Sequence, residues 1–298
     1  MRPDLDTRRL LPRQSCELVV AEVSGAASKL IYDTQELIEA PNWTPDGKSL
    51  IYNADGRLFR ISVDGSDGPH RINTAPVENL NNDHLIAPDG KRIFVSANDG
   101  HLYVVSIAGG VPIRISQDQD PARNYRCYLH GIAPDGQTLA YVALEQRAGR
   151  SMTRIATLPA AGGVASYLTD GACPVDGPEY SPDGTWLYFN AEIGARQAGH
   201  AQLFRMRLDG SGIEQLSDDA RVNWFPHLSP DGRHLAWISF PPGTIGHPAD
   251  RAVILRLAAP DGSGCRDLDA FNGGQGSINV NSWAPGSDRL AYVRYPIG

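Results

Sequence analysis

Short apolar runs recur along this chain at nearly equal intervals, and each is introduced by the same turn. Pro-Asp-Gly, with Asp at 46, 89, 135, 183 and 231, leads into SLIY, RIFV, TLAYV, WLYF and HLAWI. A degenerate sixth copy, APGSDRLAYV, occupies 284–293. Four or five apolar residues bounded by turn-formers read as a strand. Proline presets φ at the second position of a type I turn, aspartate is tolerated at the third, and glycine accepts the left-handed geometry that follows. Such a turn joins antiparallel neighbours. Two residues before every proline the side chain is apolar (Trp43, Ile86, Ile132, Tyr180, Leu228, Trp283), which marks the packed face of the strand entering the turn.

The intervals of 43, 46, 48 and 48 residues match one four-stranded propeller blade, about 40–50 residues. Third strands are expected at 57–63, 101–107, 153–158, 202–208 and 252–257, and short fourth strands at 111–115 and 213–216. The sixth copy reaches Gly298 after two strands, and the segments 17–23 and 28–33 can complete it. The expected fold is therefore all-β: a six-bladed β-propeller with four-stranded antiparallel blades, its last blade closed by N-terminal strands. The chain reads as one domain over 1–298, with an N-terminal arm at 1–15, the outer strands of the closing blade at 16–33, and blades starting near 42, 84, 130, 179, 227 and 281. Closure of this kind removes an open sheet edge at the seam.

Composition agrees. With 31 Gly and 22 Pro the chain has too many turn-formers for a helical bundle, and 41% apolar residues suffice for a core. The net charge of −7 argues against nucleic-acid binding, which needs a basic surface. No apolar run approaches the roughly 20 residues of a membrane helix, so no membrane insertion is expected. The first 14 residues lack the apolar stretch of a signal peptide. A monomer is expected, cytoplasmic as the sequence stands and periplasmic only if a leader has been removed. Cys16, Cys127, Cys173 and Cys265 have no zinc-type spacing.

Blade topology sorts the loops. Turns after the first and third strands share one face, the bottom, and are short and glycine-rich. Turns after the second strand and the links between blades share the top. They lengthen at 145–152, 191–201 and 240–251, and in the links 117–129 and 267–280. Extra loop length on one face of a rigid scaffold is where binding concentrates. If each first strand starts at the top, the residues three or four before each proline ring the channel mouth: Asn42, His84, His130, Glu179, His227 and Asn281. Imidazoles and a carboxylate converging from successive strands suit a divalent metal such as Zn or Mn, with His84, His130, Glu179 and His227 as ligands and Asp83 and Asp176 as outer partners. The alternative is a hydrated polar pocket without metal. His84 and His130 stand four before proline but Glu179 and His227 three, so the two pairs start out of phase. Arg126, Arg150 and Trp224 bring guanidinium forks and an aromatic face to the same loops, suited to anions, sugars or peptides. His70, His101, His200, His234 and His247 read as surface residues.

The repeated small-Pro-Asp-Gly-x-x-apolar pattern, with its N-terminal closure, resembles the propeller domain of TolB and its relatives over about residues 16–298. That resemblance implies a non-catalytic binding module that captures a peptide or protein segment, or a small anionic ligand, at the top channel mouth. Oligogalacturonate lyases have a similar propeller and hold a metal with histidines near the channel. The local match is Asn223-Trp224-Phe225-Pro226-His227 running into Ser229-Pro230-Asp231-Gly232. It implies the alternative, a metal-dependent carbohydrate-active enzyme, with His130 or His227 as base and Arg126 or Arg150 as carboxylate clamp. No G-x-S-x-G elbow, Walker motif or Rossmann fingerprint is present.

Overall fold

A computed structural model describes residues 8–298. Two strands open the chain, β1 (Cys16–Glu22) and β2 (Ser28–Thr34). Five four-stranded antiparallel sheets follow in chain order. Blade one is β3 (Ile38–Trp43), β4 (Ser49–Ala54), β5 (Arg57–Ser62) and β6 (His70–Ile72). Blade two is β7 (Leu80–Ile86), β8 (Arg92–Ala97), β9 (Leu102–Ser106) and β10 (Ile113–Arg114). Blade three is β11 (Arg126–Ile132), β12 (Thr138–Arg147), β13 (Arg150–Pro159) and β14 (Ser166–Tyr167). Blade four is β15 (Val175–Tyr180), β16 (Trp186–Ala191), β17 (Gln202–Arg207) and β18 (Glu214–Gln215). Blade five is β19 (Val222–Leu228), β20 (Leu235–Phe240), β21 (Arg251–Ala258) and β22 (Arg266–Gly273). A six-bladed propeller results, as the repeat predicts.

The sixth blade is closed by the N-terminal strands. β23 (Arg289–Arg294) pairs with β1, and β1 pairs with β2. Its innermost strand is reduced to an isolated bridge between Trp283 and Leu290, so this sheet has three full strands. Of the arm expected at 1–15, residues 1–7 lie outside the described part. Arg8 is held against Glu39 and the Tyr295 ring. No helix among the described residues is long and apolar enough to cross a membrane.

The turn motif locks itself. The Ser229 hydroxyl donates to Asp231 Oδ1 at 2.6 Å and accepts from the His234 amide at 3.0 Å, while Asp231 Oδ1 accepts from the Arg233 amide at 3.0 Å. Thr44 with Asp46 and Ser181 with Asp183 repeat the arrangement. These hydrogen bonds hold the Asp46, Asp183 and Asp231 carboxyls below their ordinary range. The cores lie between blades, where the alternate residues of facing sheets meet. Leu18, Trp43, Tyr52 and Tyr295 fill one such layer, and Trp224, Phe225, Phe240 and Tyr292 another.

One expectation needs correction. The first strands begin at 38, 80, 126, 175 and 222, four or five residues before the blade starts read from the sequence. Each also carries a bulge: the register shifts between Glu39 and Asn42, Leu80 and His84, Leu129 and Gly131, Asp176 and Glu179, and Trp224 and His227. An extra residue re-aims the side chains beyond it. The position five before proline takes the kink in left-handed backbone in three blades, at Ala40 (φ 54°), Gly177 (φ 59°) and Phe225 (φ 57°). Between the bulge and the turn the register is the same in every blade, so residues three and four before proline do face opposite sides of their strands.

Candidate functional site

Two cavities lie on the propeller axis, one above the other, and His130 touches both. The lower, about 370 Å³, opens among the Pro-Asp-Gly turns and is lined by prolines with Trp43, Tyr180 and Trp283. Asn42, Glu179 and Asn281 line this lower funnel. They were expected at the top mouth, and they sit low because the strands start earlier than the count assumed. His84 and His227 line neither axial cavity. His84 is fully buried between blades one and two, its ring nitrogens 3.3 Å from the carbonyls of Asn82 and Ile51. Burial pushes its imidazole down to about 4. His227 places Nδ1 2.5 Å from Glu179 Oε2 and donates from Nε2 to the Ile278 carbonyl at 2.7 Å. The other Glu179 oxygen accepts from the Leu228 amide and from Asn281. The four residues read as metal ligands thus divide among three environments. Among the described residues no three His, Cys, Asp or Glu side chains are placed to hold a metal ion.

The upper cavity, about 390 Å³, is the candidate site. Its floor and walls carry Asp83, His130, Asp176 and His247, with the amides of Asn81, Asn82, Gln275 and Asn279 around them. Asp83 and Asp176, read from sequence as outer partners, are themselves in the lining. His247 corrects the reading as a surface residue: its ring packs at 4.5 Å from Trp224 and 5.0 Å from Phe225, centroid to centroid. Trp224 is buried behind this ring and outside the lining. Arg126 and Arg150 also lie outside it.

The bulge of β19 builds one wall. Phe225 is a bulky residue in the left-handed region, a conformation that costs about 1–3 kcal/mol. Its amide donates to Asn190 Oδ1 at 3.1 Å, and its ring stacks on His130 at 5.6 Å. Strain kept at a wall of the pocket is offset by the packing that orients the imidazole.

Hydrogen-bond inventory sets the protonation of His130. Nδ1 donates to the Asn279 carbonyl at 3.1 Å, and Nε2 faces Asp176 Oδ1 at 3.1 Å. A carbonyl and a carboxylate are both acceptors, so the ring carries protons on both nitrogens. Burial opposes that charge, but Asp83 and Asp176 outweigh it and hold the imidazole up to about 9. Asp83 is buried, and desolvation pushes its carboxyl up to about 6 against the pull of His130. Asp176 is lowered despite its burial, by His130 and then His247. Burial, with His130 adding, holds His247 down and neutral. At pH 7 the cavity therefore holds two carboxylates and one imidazolium, with no Arg or Lys in its lining. One oxygen of Asp83 accepts from Asn81 at 2.8 Å, and the other, Oδ1, is buried without a partner among the described residues.

A pH prediction follows from His130. A group whose folded pKa lies above its unfolded one stabilises fully below the unfolded value and loses that contribution as pH rises through the folded one. The contribution of His130 should be complete below about 6.5, the ordinary imidazole value, and vanish through about 9. Thermal midpoints measured from pH 6 to 9.5 should fall over that window in the parent and less so in His130→Gln.

The uncharacterized protein Atu1656 of Agrobacterium fabrum (strain C58) is 36% identical over 271 residues, a match covering 90% of this chain and 88% of that one. A solved structure from Agrobacterium tumefaciens ascribed to TolB has a TM-score of 0.86 at 34% identity, covering 95% of this chain and 99% of the other. The Tol-Pal system protein TolB of Francisella tularensis (strain WY96-3418) is 22% identical over 278 residues, and the match spans 90% of this chain but 59% of that protein. No family model matches the chain. The chain belongs to the TolB-like six-bladed β-propeller family. An oligogalacturonate lyase in complex with manganese shares the fold alone, with a TM-score of 0.56 at 14% identity over 78% of this chain and 66% of the other.

Proposed function

We propose that this protein is a non-catalytic capture module that takes a peptide or protein segment at the upper axial cavity, seating an ammonium of that segment on Asp83. The single observation behind this reading is Asp83 Oδ1, a buried carboxylate oxygen with no partner, in a cavity whose charge at pH 7 is net negative. A buried acceptor left unpaired costs about 1–3 kcal/mol, and a donor brought by a ligand recovers it. The ring of Asn and Gln amides offers donors and acceptors of the kind a peptide backbone matches. The same negative charge works against a small anionic ligand here. The lyase alternative needs a base beside a guanidinium clamp. His130 is paired with Asp176 instead, and Arg126 and Arg150 lie outside the lining.

Calorimetric titration of a peptide library with free and N-acetylated amino termini tests the reading. Free-amine peptides should bind at least tenfold more tightly, and Asp83→Asn should remove that preference, a loss of about 1.5–3 kcal/mol for a hydrogen bond to a charged group. Affinity should also weaken as pH falls through about 6 and Asp83 takes up a proton. Equal binding of both peptide forms, or full affinity in Asp83→Asn, would sink the reading.

A further inference from the structure

The long turn expected at 145–152 is instead a raised hairpin. β12 and β13 have ten residues each, whereas the second strands of the other four complete blades have six. Four more residues at about 3.3 Å each lift its tip about 13 Å above the top face. Ala148 (φ 48°) and Gly149 (φ 75°) form the left-handed pair that closes a two-residue hairpin. The register places Glu145 opposite Met152, Arg147 opposite Arg150, and Ala143 opposite Arg154, all on one face of the hairpin. The other face sends Val142, Leu144 and Thr153 into the upper cavity.

The charge on the first face does not balance. Glu145 is fully buried and is the one carboxylate within 4.0 Å of three guanidiniums among the described residues. Arg123 and Arg154 bond to it directly, and Arg147 Nε lies 3.3 Å from Oε1. Arg154 lies 3.5 Å above the Tyr167 ring, and its Nε is buried without a partner among the described residues. Arg150 is exposed and has no ion pair among the described residues. Like charges set directly across a strand pair are destabilising, yet Arg147 and Arg150 face each other at the tip with a single shared glutamate below. Arg123, from the segment before β11, and the buried Arg154 already take Glu145, so the exposed Arg147 and Arg150 leave the projecting tip net positive. Guanidinium forks of this kind take carboxylates in two-pronged bonds.

We infer that the outer face of the β12–β13 hairpin is a second contact strip, which binds the carboxylate side chains of an acidic peptide segment running over the top face. This rests on the peptide-capture reading for its partner, but its chemistry is opposite in sign to that of the cavity. The two therefore fail separately. The probe is an N-acetylated, C-amidated hexa-aspartate peptide, which has no ammonium to offer Asp83. In low salt, the exposed-tip variant Arg147→Glu/Arg150→Glu should bind it at least tenfold more weakly than the parent while keeping a cooperative thermal transition. A variant with the same charge change elsewhere, Arg60→Glu/Arg233→Glu, should stay within twofold, as should Asp83→Asn. Because the tip is exposed, Arg147→Ala/Arg150→Ala gives a second reading that avoids new repulsion and should lose at least fivefold. No binding by the parent, affinity within twofold in both tip variants, or an equal loss in the remote variant would overturn the inference.

Discussion

A chain starting at residue 35 is expected to lose its cooperative thermal transition. β1 is the middle strand of the closing sheet, paired over Glu17–Glu22 with Arg294–Arg289 on one side and with β2 on the other. Its side chains serve two cores at once. Leu18 and Val20 pack with Trp43, Tyr52 and Tyr295, and Val19 and Ala21 pack with Ile238, Tyr292 and Trp224. Burying a Leu or Val side chain is worth about 1.5–3 kcal/mol. Removing this strand therefore approaches the whole stability of a domain, about 5–15 kcal/mol, before any ladder hydrogen bond is counted. It would also leave the outer edge of β23 unpaired and uncover the core layers that β1 covers on either side. Differential scanning calorimetry is the check. A sharp transition with the parent's enthalpy in the truncated chain would show that the ring holds without its N-terminal strands.

Glu179→Leu is expected to cost about 2–6 kcal/mol, because two buried groups lose their acceptor at about 1–3 kcal/mol each. Glu179 is 6% exposed and accepts three bonds: from His227 Nδ1 at 2.5 Å, from the Leu228 amide at 2.8 Å and from Asn281 Nδ2 at 2.7 Å. Leucine fills the space but leaves the His227 ring and the buried Leu228 amide without their acceptor, while Asn281 Nδ2 keeps its bond to the Leu228 carbonyl at 2.9 Å. Glu179→Gln keeps an acceptor oxygen and should cost less than half as much. The Trp283 indole, which donates to the His227 carbonyl at 3.0 Å, ties the same network to the closing blade. Urea denaturation of the three proteins at pH 7 decides this. A loss below about 1 kcal/mol in Glu179→Leu, within the spread of an ordinary surface substitution, would mean the network is not structural.

The blade count, the turn chemistry and the closing strands were legible in the sequence because they rest on local rules. Pro-Asp-Gly at constant phase makes the same turn each time, and an incomplete last repeat must borrow strands. The candidate site was legible only in part. His130, read as a channel-mouth residue, lines both axial cavities, and the long turn at 240–251 and the link at 267–280 supply His247, Gln275 and Asn279 to the wall of the upper one. What a linear count could not give was the height of each side chain along the axis. A bulge in each first strand shifts the register by one or more residues, and nothing in a motif such as Asp-His-Leu-Ile announces it. Because the strands start four or five residues earlier than the count assumes, Asn42, Glu179 and Asn281 lie in the lower funnel, His84 and His227 lie outside both cavities, and Asp83 and Asp176 are part of the upper lining. Ala40, Gly177 and Phe225, each five before a proline and in left-handed backbone, are the residues where the count goes astray. Only the glycine among them hints at it. The hairpin at 145–152 reads as a loop in the sequence because Ala-Gly is a weaker turn signal than Asn-Gly or Asp-Gly.

Photo-crosslinking locates the captured segment on the molecule. A free-amine peptide selected for binding, carrying a photoreactive group beside its first residue, should attach to residues around the upper cavity, foremost Asn81, Tyr128 and Gln275. Competition by the unlabelled peptide should abolish the adducts, and Asp83→Asn should abolish them too. Adducts at Trp43, Tyr180 or Trp283 in the lower funnel, surviving in Asp83→Asn, would contradict capture at the upper cavity.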